Sequence, residues 1–238
     1  AREVGHHRIV SRLRRLGIER LDDPDRYGAA IVLGGADVTP LELARAYSTL
    51  ARGGTSLPIT LAHGGSGANP IVVMQPEHAE VIADILSDAP TRAAAFGDDL
   101  SSIFEEDFAL KTGTSSGWHD AWAAVFTELV TVVVWLGEPS GRPMGAVSGF
   151  EGAAPPAVQI LAHADARARE LGFESPKRER VELITARVCA ASGLAAGPRC
   201  PHVIDERFVV GTVPSHLCHE HRDDGSWILP HRYARWIE

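Results

Sequence analysis

Three short runs rich in apolar and β-branched residues constrain the fold of this chain most. They cover residues 109–112, 121–126 and 130–136, and a short polar turn separates the second run from the third. Runs of this kind joined by short turns are typical of antiparallel neighbours in a sheet. A helix is predicted over residues 155–171, with Gly172 as its stop. Together these elements predict an α+β fold, an antiparallel sheet flanked by helices.

Helix signals precede the predicted sheet. Thr39, Pro40 and Glu42 form a capping-box pattern. The Thr39 hydroxyl can accept a hydrogen bond from the first turn, Pro40 lacks an amide that would be unsatisfied there, and the Glu42 carboxylate can reach back to the cap. The predicted helices span residues 3–16, 40–52 and 76–87. Residues 88–107 are mixed and acidic, and we predict a surface loop for them.

Charge and hydropathy exclude two functional classes. The 238 residues carry a net charge of −8, from 23 basic and 31 acidic residues. An acidic chain without clustered lysine and arginine binds phosphate backbones poorly, so we expect no nucleic-acid partner. The most apolar stretch, residues 121–137, is interrupted by Glu128 and predicts strands rather than a transmembrane helix. A membrane anchor of the parent protein is therefore expected outside this chain.

A polar segment divides the chain. Residues 173–180 contain Pro176 and several charged residues, which is typical of a linker. We predict that residues 1–172 form one domain and that residues 181–238 form a small segment containing Cys and His.

The segment Lys111-Thr112-Gly113-Thr114 has the chemistry of a carboxylate-binding strand. The Lys111 ammonium can hold a substrate carboxylate, and the hydroxyls of Thr112 and Thr114, on one side of the strand, can bind the same group. Gly113 has no Cβ, so a substrate backbone can lie against the strand. An amide near Thr114 can donate to an oxyanion. The tripeptide by itself favours a surface strand whose polar side chains are merely solvated, because short motifs of this kind recur freely.

The surrounding sequence resembles class A penicillin-binding proteins, in particular the 1C subclass of peptidoglycan synthases. The Lys-Thr-Gly strand is one of the motifs of that group. The other similar segments are residues 33–44, 83–88, 120–122, 135–137, 141–144 and 152–155. Because the resemblance covers nearly the whole chain, it implies part of a penicillin-binding or β-lactamase-like transpeptidase fold.

The resemblance also implies an activity for the parent protein. Such enzymes attack a D-Ala-D-Ala stem peptide with a serine, release D-Ala and pass the acyl group to an amine. The residues that the resemblance assigns to substrate binding are Lys111, Thr112, Gly113 and Thr114. Asp120 and Trp122 are given a structural role beside them. The implied partners are stem peptides and β-lactams, and the implied location is the periplasmic side of the inner membrane.

Two motifs of the family do not occur. Ser-x-x-Lys needs a serine three residues before a lysine, but Phe108 and Glu174 precede the two lysines, Lys111 and Lys177, at that distance. The single asparagine, Asn69, has no Ser-x-Asn context. Without a nucleophile and base we expect the chain alone to be an inactive transpeptidase fragment. The alternatives are a non-catalytic remnant that binds peptidoglycan or a partner, and a β-lactamase relative, which the segment after residue 180 disfavours.

The cysteines raise a separate question. Cys189, Cys200 and Cys218, with His221, make a Cys₃His set of the type that binds zinc tetrahedrally, although the spacing is not that of a standard zinc ribbon. One disulfide, with Cys189 and Cys200 as the favoured pair, is expected if the parent is exported to an oxidising compartment. Free thiols are the third interpretation. No other cofactor is expected.

The resemblance finally predicts a poorly covered sheet. Parts of the family fold that would pack on the sheet are not found in this sequence, so we expect much of its apolar face to be exposed and the chain to aggregate.

Overall fold

The computed structural model describes residues 3–61, 69–97, 100, 102–175 and 181–228. It divides into two compact units, which we call unit 1 (Ala1–Glu179) and unit 2 (Arg180–Glu238). Much of the predicted linker lies outside the described residues, so its bounds stay a prediction. No helix of the described residues is long and apolar enough to cross a membrane.

Unit 1 begins with helices. The three that the sequence predicts there are present, one with the predicted bounds and two with slightly shorter ones. Two short strands pair antiparallel between the third and fourth α-helices. In chain order the elements are α1 (His6–Arg15), α2 (Pro24–Tyr27), a 3₁₀ helix (Gly28–Leu33), α3 (Pro40–Ala51), β1 (Thr55–Ser56), β2 (Ile71–Val72), α4 (Pro76–Ser87) and α5 (Ala89–Phe96).

Helix α3 begins as the capping-box pattern predicts. The Glu42 amide donates to the Thr39 hydroxyl at 3.2 Å, and the Thr39 amide donates to the Glu42 carboxylate at 2.9 Å. Helix α5, by contrast, corrects the prediction of a loop over residues 88–107. Asp88 accepts a hydrogen bond from the Thr91 amide at 2.9 Å and so caps a helix whose first turn also contains Pro90.

The three predicted strands form one antiparallel sheet. Strands β3 (Ala109–Thr114), β4 (Asp120–Phe126) and β5 (Thr131–Gly137) lie in the order β3-β4-β5. The register pairs Thr112 with Ala123 and Trp122 with Trp135. This arrangement of sheet and helices confirms the predicted α+β transpeptidase-like fold.

One face of this sheet packs against the next helix. A π-helical turn (Gly149–Ala153) leads into α6 (Ala154–Glu170), which ends one residue before the predicted end. Leu110 and Val125 on the sheet form one apolar cluster with Val158 and Leu161 of α6, all of them buried. Because side chains alternate along a strand, the neighbouring residues face the other way.

The opposite face of the sheet packs against helices α3 and α4. Ala109 and Phe126 form a second apolar cluster there with Ala51. The expectation of a largely uncovered sheet is therefore wrong for β3 and β4, since helices of this same chain cover both faces. Only the end of β5 fits that expectation, with Trp135 and Leu136 partly exposed.

Unit 2 has little secondary structure. Its strands β6 (Leu183–Cys189) and β7 (Val203–Val209) pair antiparallel, and Cys189 lies opposite Val203 at one end. Loops follow each strand. Among residues 181–228, the buried side chains are Val188, Cys189, Cys218 and His221.

Candidate functional site

The Lys-Thr-Gly segment lies on an edge strand. Within the described residues β3 pairs only with β4, so its other edge carries backbone N–H and C=O groups that an extended peptide could pair with. Lys111 and Thr114 are exposed, and Thr112 and Gly113 are half-buried. The four residues predicted to bind substrate thus lie consecutively on an accessible edge.

The register divides these four residues between the two faces of the sheet. Thr112 and Thr114 share the face of α6, and Lys111 and Gly113 share the face of α3 and α4. The Lys111 ammonium donates to the Thr112 carbonyl, so the side chain bends along the strand edge. A single carboxylate at this edge could be reached by Lys111 from one face and by Thr114 from the other.

Gly149 supports the end of β3, and sequence reasoning did not single it out. Its amide donates to the Thr114 hydroxyl oxygen at 2.9 Å, which fixes the oxygen and leaves the hydroxyl proton available to an acceptor. A Cβ on Gly149 would lie 2.3 Å from the Gly113 carbonyl oxygen. Only glycine therefore allows the π-helical turn to approach β3 this closely. The Ser148–Glu151 capping-box pattern is the local sequence signal that could have indicated this turn.

The connection from β3 to β4 is a tight turn. Ser115 holds it, because its hydroxyl accepts from the Asp120 amide at 2.8 Å and its own amide donates to the Asp120 carbonyl at 3.0 Å. Trp118 lies in the left-handed region at φ 63°, a strained conformation for a large side chain. Ser115 is thus engaged in forming the turn that presents β3.

Asp120 and Trp122 join β4 to β5. The Trp135 indole donates to the Asp120 carboxylate at 2.9 Å. The rings of Trp122 and Trp135 lie 6.1 Å apart between centroids, within the range of a favourable aromatic pair. These contacts hold β4, the neighbour of β3, in a fixed register with β5.

A cleft of about 160 Å³ opens beside strand β3. It lies between β3 and helices α4 and α5, and charged and apolar side chains line it. The lining residues are Ile85, Leu86, Asp88, Thr91, Arg92, Leu110, Lys111 and Thr112. A larger cleft of about 270 Å³ lies between α3 and the β4–β5 turn, and it contains none of the predicted site residues.

A second candidate site lies in unit 2. The ligand atoms of Cys189, Cys200, Cys218 and His221 all lie within 4.8 Å of one another. All three cysteines are free thiols, so the favoured Cys189–Cys200 disulfide is not formed. His221 Nε2 lies 3.1 Å from the Cys189 sulfur. The structure thus brings together the whole set of candidate ligands, three of them buried.

The electrostatics of this cluster favour ionisation of Cys189. Burial of Cys189 opposes its ionisation, but hydrogen bonds from His221, Ser192 and Ala191 outweigh burial and lower the pKa of Cys189 to about 6. The same hydrogen bond with Cys189 raises the pKa of His221. Burial raises the pKa of Cys200. The thiolate is the form of cysteine that binds metal ions.

One further group of possible ligands joins α1 to α2 and was missed from the sequence. His6 and His7 both contact the Asp25 carboxylate, at 2.8 Å and 2.9 Å. Their charge and hydrogen bonds, that of His6 first, lower the pKa of Asp25. Because Asp25 is highly exposed, solvent screens this group and it forms no enclosed site.

Two protein-family models match this chain, one over the region that contains Lys111 to Thr114 and one over the region that contains the cysteine cluster. The family model "Penicillin binding protein transpeptidase domain" matches residues 2–132, and the model "Penicillin-binding protein 1A, C-terminal domain" matches residues 181–223. Homologues divide between penicillin-binding proteins 1C and 1A. The chain is 28% identical to penicillin-binding protein 1C of Escherichia coli (strain K12) over 160 residues, which is 66% of this chain and 20% of that protein. It is 28% identical to penicillin-binding protein 1A of Neisseria cinerea over 197 residues, 71% of this chain and 24% of that protein.

Solved structures agree on the fold. The crystal structure of penicillin-binding protein 1A from Haemophilus influenzae superposes with a TM-score of 0.68 and 20% identity, covering 91% of this chain and 38% of that one. The match spans about a fifth of the Escherichia coli 1C protein and about a quarter of the Neisseria cinerea 1A protein.

Proposed function

This chain belongs to the penicillin-binding protein transpeptidase domain family, and from that premise we propose that it supplies the substrate-binding strand of a peptidoglycan D,D-transpeptidase. The observation that carries the proposal is the position of Lys111 to Thr114 on the accessible edge of β3, within the region that matches the family. Residues 181–238 follow as a separate C-terminal unit in this proposal.

The chemistry of the strand supports this role. The end of a stem peptide would lie along β3, with its terminal carboxylate near the Lys111 ammonium and the Thr114 hydroxyl. Gly113 presents no side chain to the peptide. A backbone amide near Thr114 would donate to the oxygen that becomes negative when the penultimate D-Ala carbonyl is attacked.

The nucleophile would come from outside these 238 residues. No Ser-x-x-Lys pattern occurs in the sequence, and Ser115 forms the β3–β4 turn. In the parent protein a serine oxygen would bond to the penultimate carbonyl carbon, and the bond to the terminal D-Ala would break as its nitrogen takes a proton. An amine of a second stem peptide would then displace the serine. The chain alone would bind without reacting.

We further propose that the parent belongs to the 1C subclass and acts on the periplasmic side of the inner membrane. Similarity to the Escherichia coli 1C protein supports the subclass. The C-terminal unit, however, matches a model of the 1A C-terminal domain. Sequence identity of the entire parent protein to 1A and to 1C proteins therefore decides the subclass. Higher identity to 1A than to 1C proteins over that length would contradict the subclass.

A labelled penicillin tests the activity. In the parent polypeptide we expect one covalent adduct by intact mass. Lys111→Ala should slow acylation about ten- to hundredfold, because it removes a charge-assisted hydrogen bond of about 1.5–3 kcal/mol. Lys177→Ala changes the only other lysine of these 238 residues and is the matched control. It should acylate at the wild-type rate.

The isolated 238-residue chain gives the complementary result. It should form no adduct. An adduct on the isolated chain, or a Lys111→Ala parent that acylates normally, would overturn the proposal. The second outcome would mean that Lys111 does not hold the substrate carboxylate. A parent polypeptide that forms no adduct at all would favour a non-catalytic binding remnant.

A further inference from the structure

We propose that Cys189, Cys200, Cys218 and His221 bind one Zn²⁺ ion and that this ion holds unit 2 together. The four ligand atoms come from separate parts of the segment, the end of β6 and three positions in loops, yet all lie within 4.8 Å of one another. In a tetrahedral site with usual Zn–S and Zn–N bond lengths, ligand atoms are separated by about 3.5–3.8 Å. In this structure the Cys189 sulfur and His221 Nε2 lie 3.1 Å apart, and all four ligand atoms lie within 4.8 Å of one another, so the cluster has the size of such a site.

The imidazole is already oriented for a metal ion. His221 Nδ1 lies 3.2 Å from the Gly225 carbonyl oxygen, and Nε2 faces the Cys189 sulfur. Nδ1–H can donate to this backbone carbonyl while a metal ion replaces the proton that Nε2 shares with the Cys189 sulfur. A histidine whose second ring nitrogen donates to a carbonyl is the usual outer-shell arrangement of a zinc-bound imidazole. His221 is only 3% exposed, so this orientation is enforced by its surroundings.

Each sulfur also has a hydrogen-bond donor. The Ser192 hydroxyl donates to the Cys218 sulfur at 3.2 Å, and the Gly197 amide donates to the Cys200 sulfur at 3.3 Å. Amides of Ala191 and Ser192 donate to Cys189. Donors of this kind stabilise thiolates, as a Zn²⁺ site with three sulfur ligands requires.

Close backbone packing brings the loops together. A Cβ on Gly197 would lie 2.4 Å from the Cys218 carbonyl oxygen. Glycine therefore lets the loop that presents Cys200 approach the loop that presents Cys218.

Unit 2 needs such a link because it buries little else. Three of its four buried described residues are members of the cluster, and the fourth is Val188. A two-stranded sheet with one buried aliphatic side chain is not stable by itself. A disulfide would use two sulfurs and leave the third thiol and a buried imidazole without a common partner. One Zn²⁺ engages all four, and four protein ligands leave no open position for catalysis.

Metal binding by the intact 238-residue chain tests the proposal. The chain is purified without a polyhistidine tag or chelator, under reducing conditions, and its metal content is measured. We expect one equivalent of zinc. Co²⁺ added to the metal-free chain should produce the visible bands of tetrahedral cobalt and a thiolate charge-transfer band, saturating at one equivalent and lost when Zn²⁺ is added.

Variants identify the ligands. His221→Ala should weaken Co²⁺ and Zn²⁺ binding by more than about tenfold, since loss of an outer-shell partner already costs that much. His219→Ala, an exposed histidine two residues away, is the matched control and should bind as wild type. Ser192→Ala keeps all four ligands and should shift the charge-transfer band of the bound cobalt. The wild-type titration is independent of whether these variants fold.

Two results would overturn the proposal. One is a reduced wild-type chain that takes up no stoichiometric Zn²⁺ or Co²⁺. The other is equal binding by the His221→Ala and His219→Ala chains. A protein that is purified with an intramolecular disulfide and cannot be loaded with metal after reduction gives the first result.

Discussion

Units 1 and 2 bury different kinds of side chain. In unit 1 the described core consists of apolar clusters on both faces of the β3-β4-β5 sheet and beside α1. In unit 2 the buried side chains are mostly sulfur and imidazole. The stability of unit 1 should therefore follow the volume of its apolar side chains, and that of unit 2 the occupancy of its four donor atoms.

The two units also place their chemistry differently. The polar residues proposed to bind substrate lie on the exposed edge of β3, where they contribute little to the core. The proposed metal ligands of unit 2 are themselves the core. Substitutions at the first site should change function without unfolding the protein, and substitutions at the second should do both.

The largest expected effect tests the apolar core of unit 1. Leu161 is fully buried against the sheet, so Leu161→Ala should lower the free energy of unfolding by about 2–5 kcal/mol. Ile160 lies next to it on α6 and is half exposed, so Ile160→Ala should cost less than about 1 kcal/mol. Chemical denaturation followed by circular dichroism measures both. The comparison between the units fails if the Leu161→Ala chain loses cobalt binding, or if the two variants are equally stable.

Alanine substitutions at two glycines distinguish a residue needed for packing, Gly149, from one proposed to serve substrate binding, Gly113. Gly149→Ala places a Cβ 2.3 Å from the Gly113 carbonyl oxygen and should cost about 1–3 kcal/mol of stability. At Gly113 the nearest contact of an added Cβ is the Trp122 Cβ at 3.7 Å. Gly113→Ala should therefore change the unfolding free energy by about 0.5 kcal/mol or less. A large loss of stability in Gly113→Ala would mean that this glycine serves the fold and not the substrate.

The smallest expected effect concerns pH and the start of α3. Partial burial of Glu42 opposes its ionisation, but hydrogen bonds from Thr39, and then from the amides of Glu19 and Arg20, outweigh it and hold the pKa of Glu42 below its ordinary 4.5. A carboxyl group whose pKa is lower in the folded than in the unfolded protein stabilises the fold at pH values above its unfolded-state pKa. That contribution is lost as the pH falls through its folded-state pKa.

Glu42→Gln should therefore cost about 0.5–1 kcal/mol at neutral pH, a loss typical of a cap. The difference between variant and wild type should shrink as the pH falls below 4.5. Urea denaturation at neutral and acidic pH measures it. A difference that is constant with pH would contradict the assigned role of the carboxylate.

Local patterns in the sequence predicted much of unit 1. The capping box of Thr39 and Glu42, the three strands and helix α6 each depend on residues that are close in sequence, and all are present. The consecutive residues from Lys111 to Thr114 were found for the same reason. Helix α5 was missed because its cap, Asp88, and its Pro90 lie in a mixed segment without clear apolar periodicity.

The sequence by itself determined the family, the α+β class and the identity of the polar residues, because motifs and periodicities are carried by neighbouring residues. Only the tertiary structure decided that helices of this chain cover both faces of the sheet and that Gly149 supports Thr114. It also decided that Cys189, Cys200, Cys218 and His221 lie together and that none of the three cysteines forms a disulfide. These features join residues far apart in the chain, and their distances are set by loop geometry and packing, which no local pattern records.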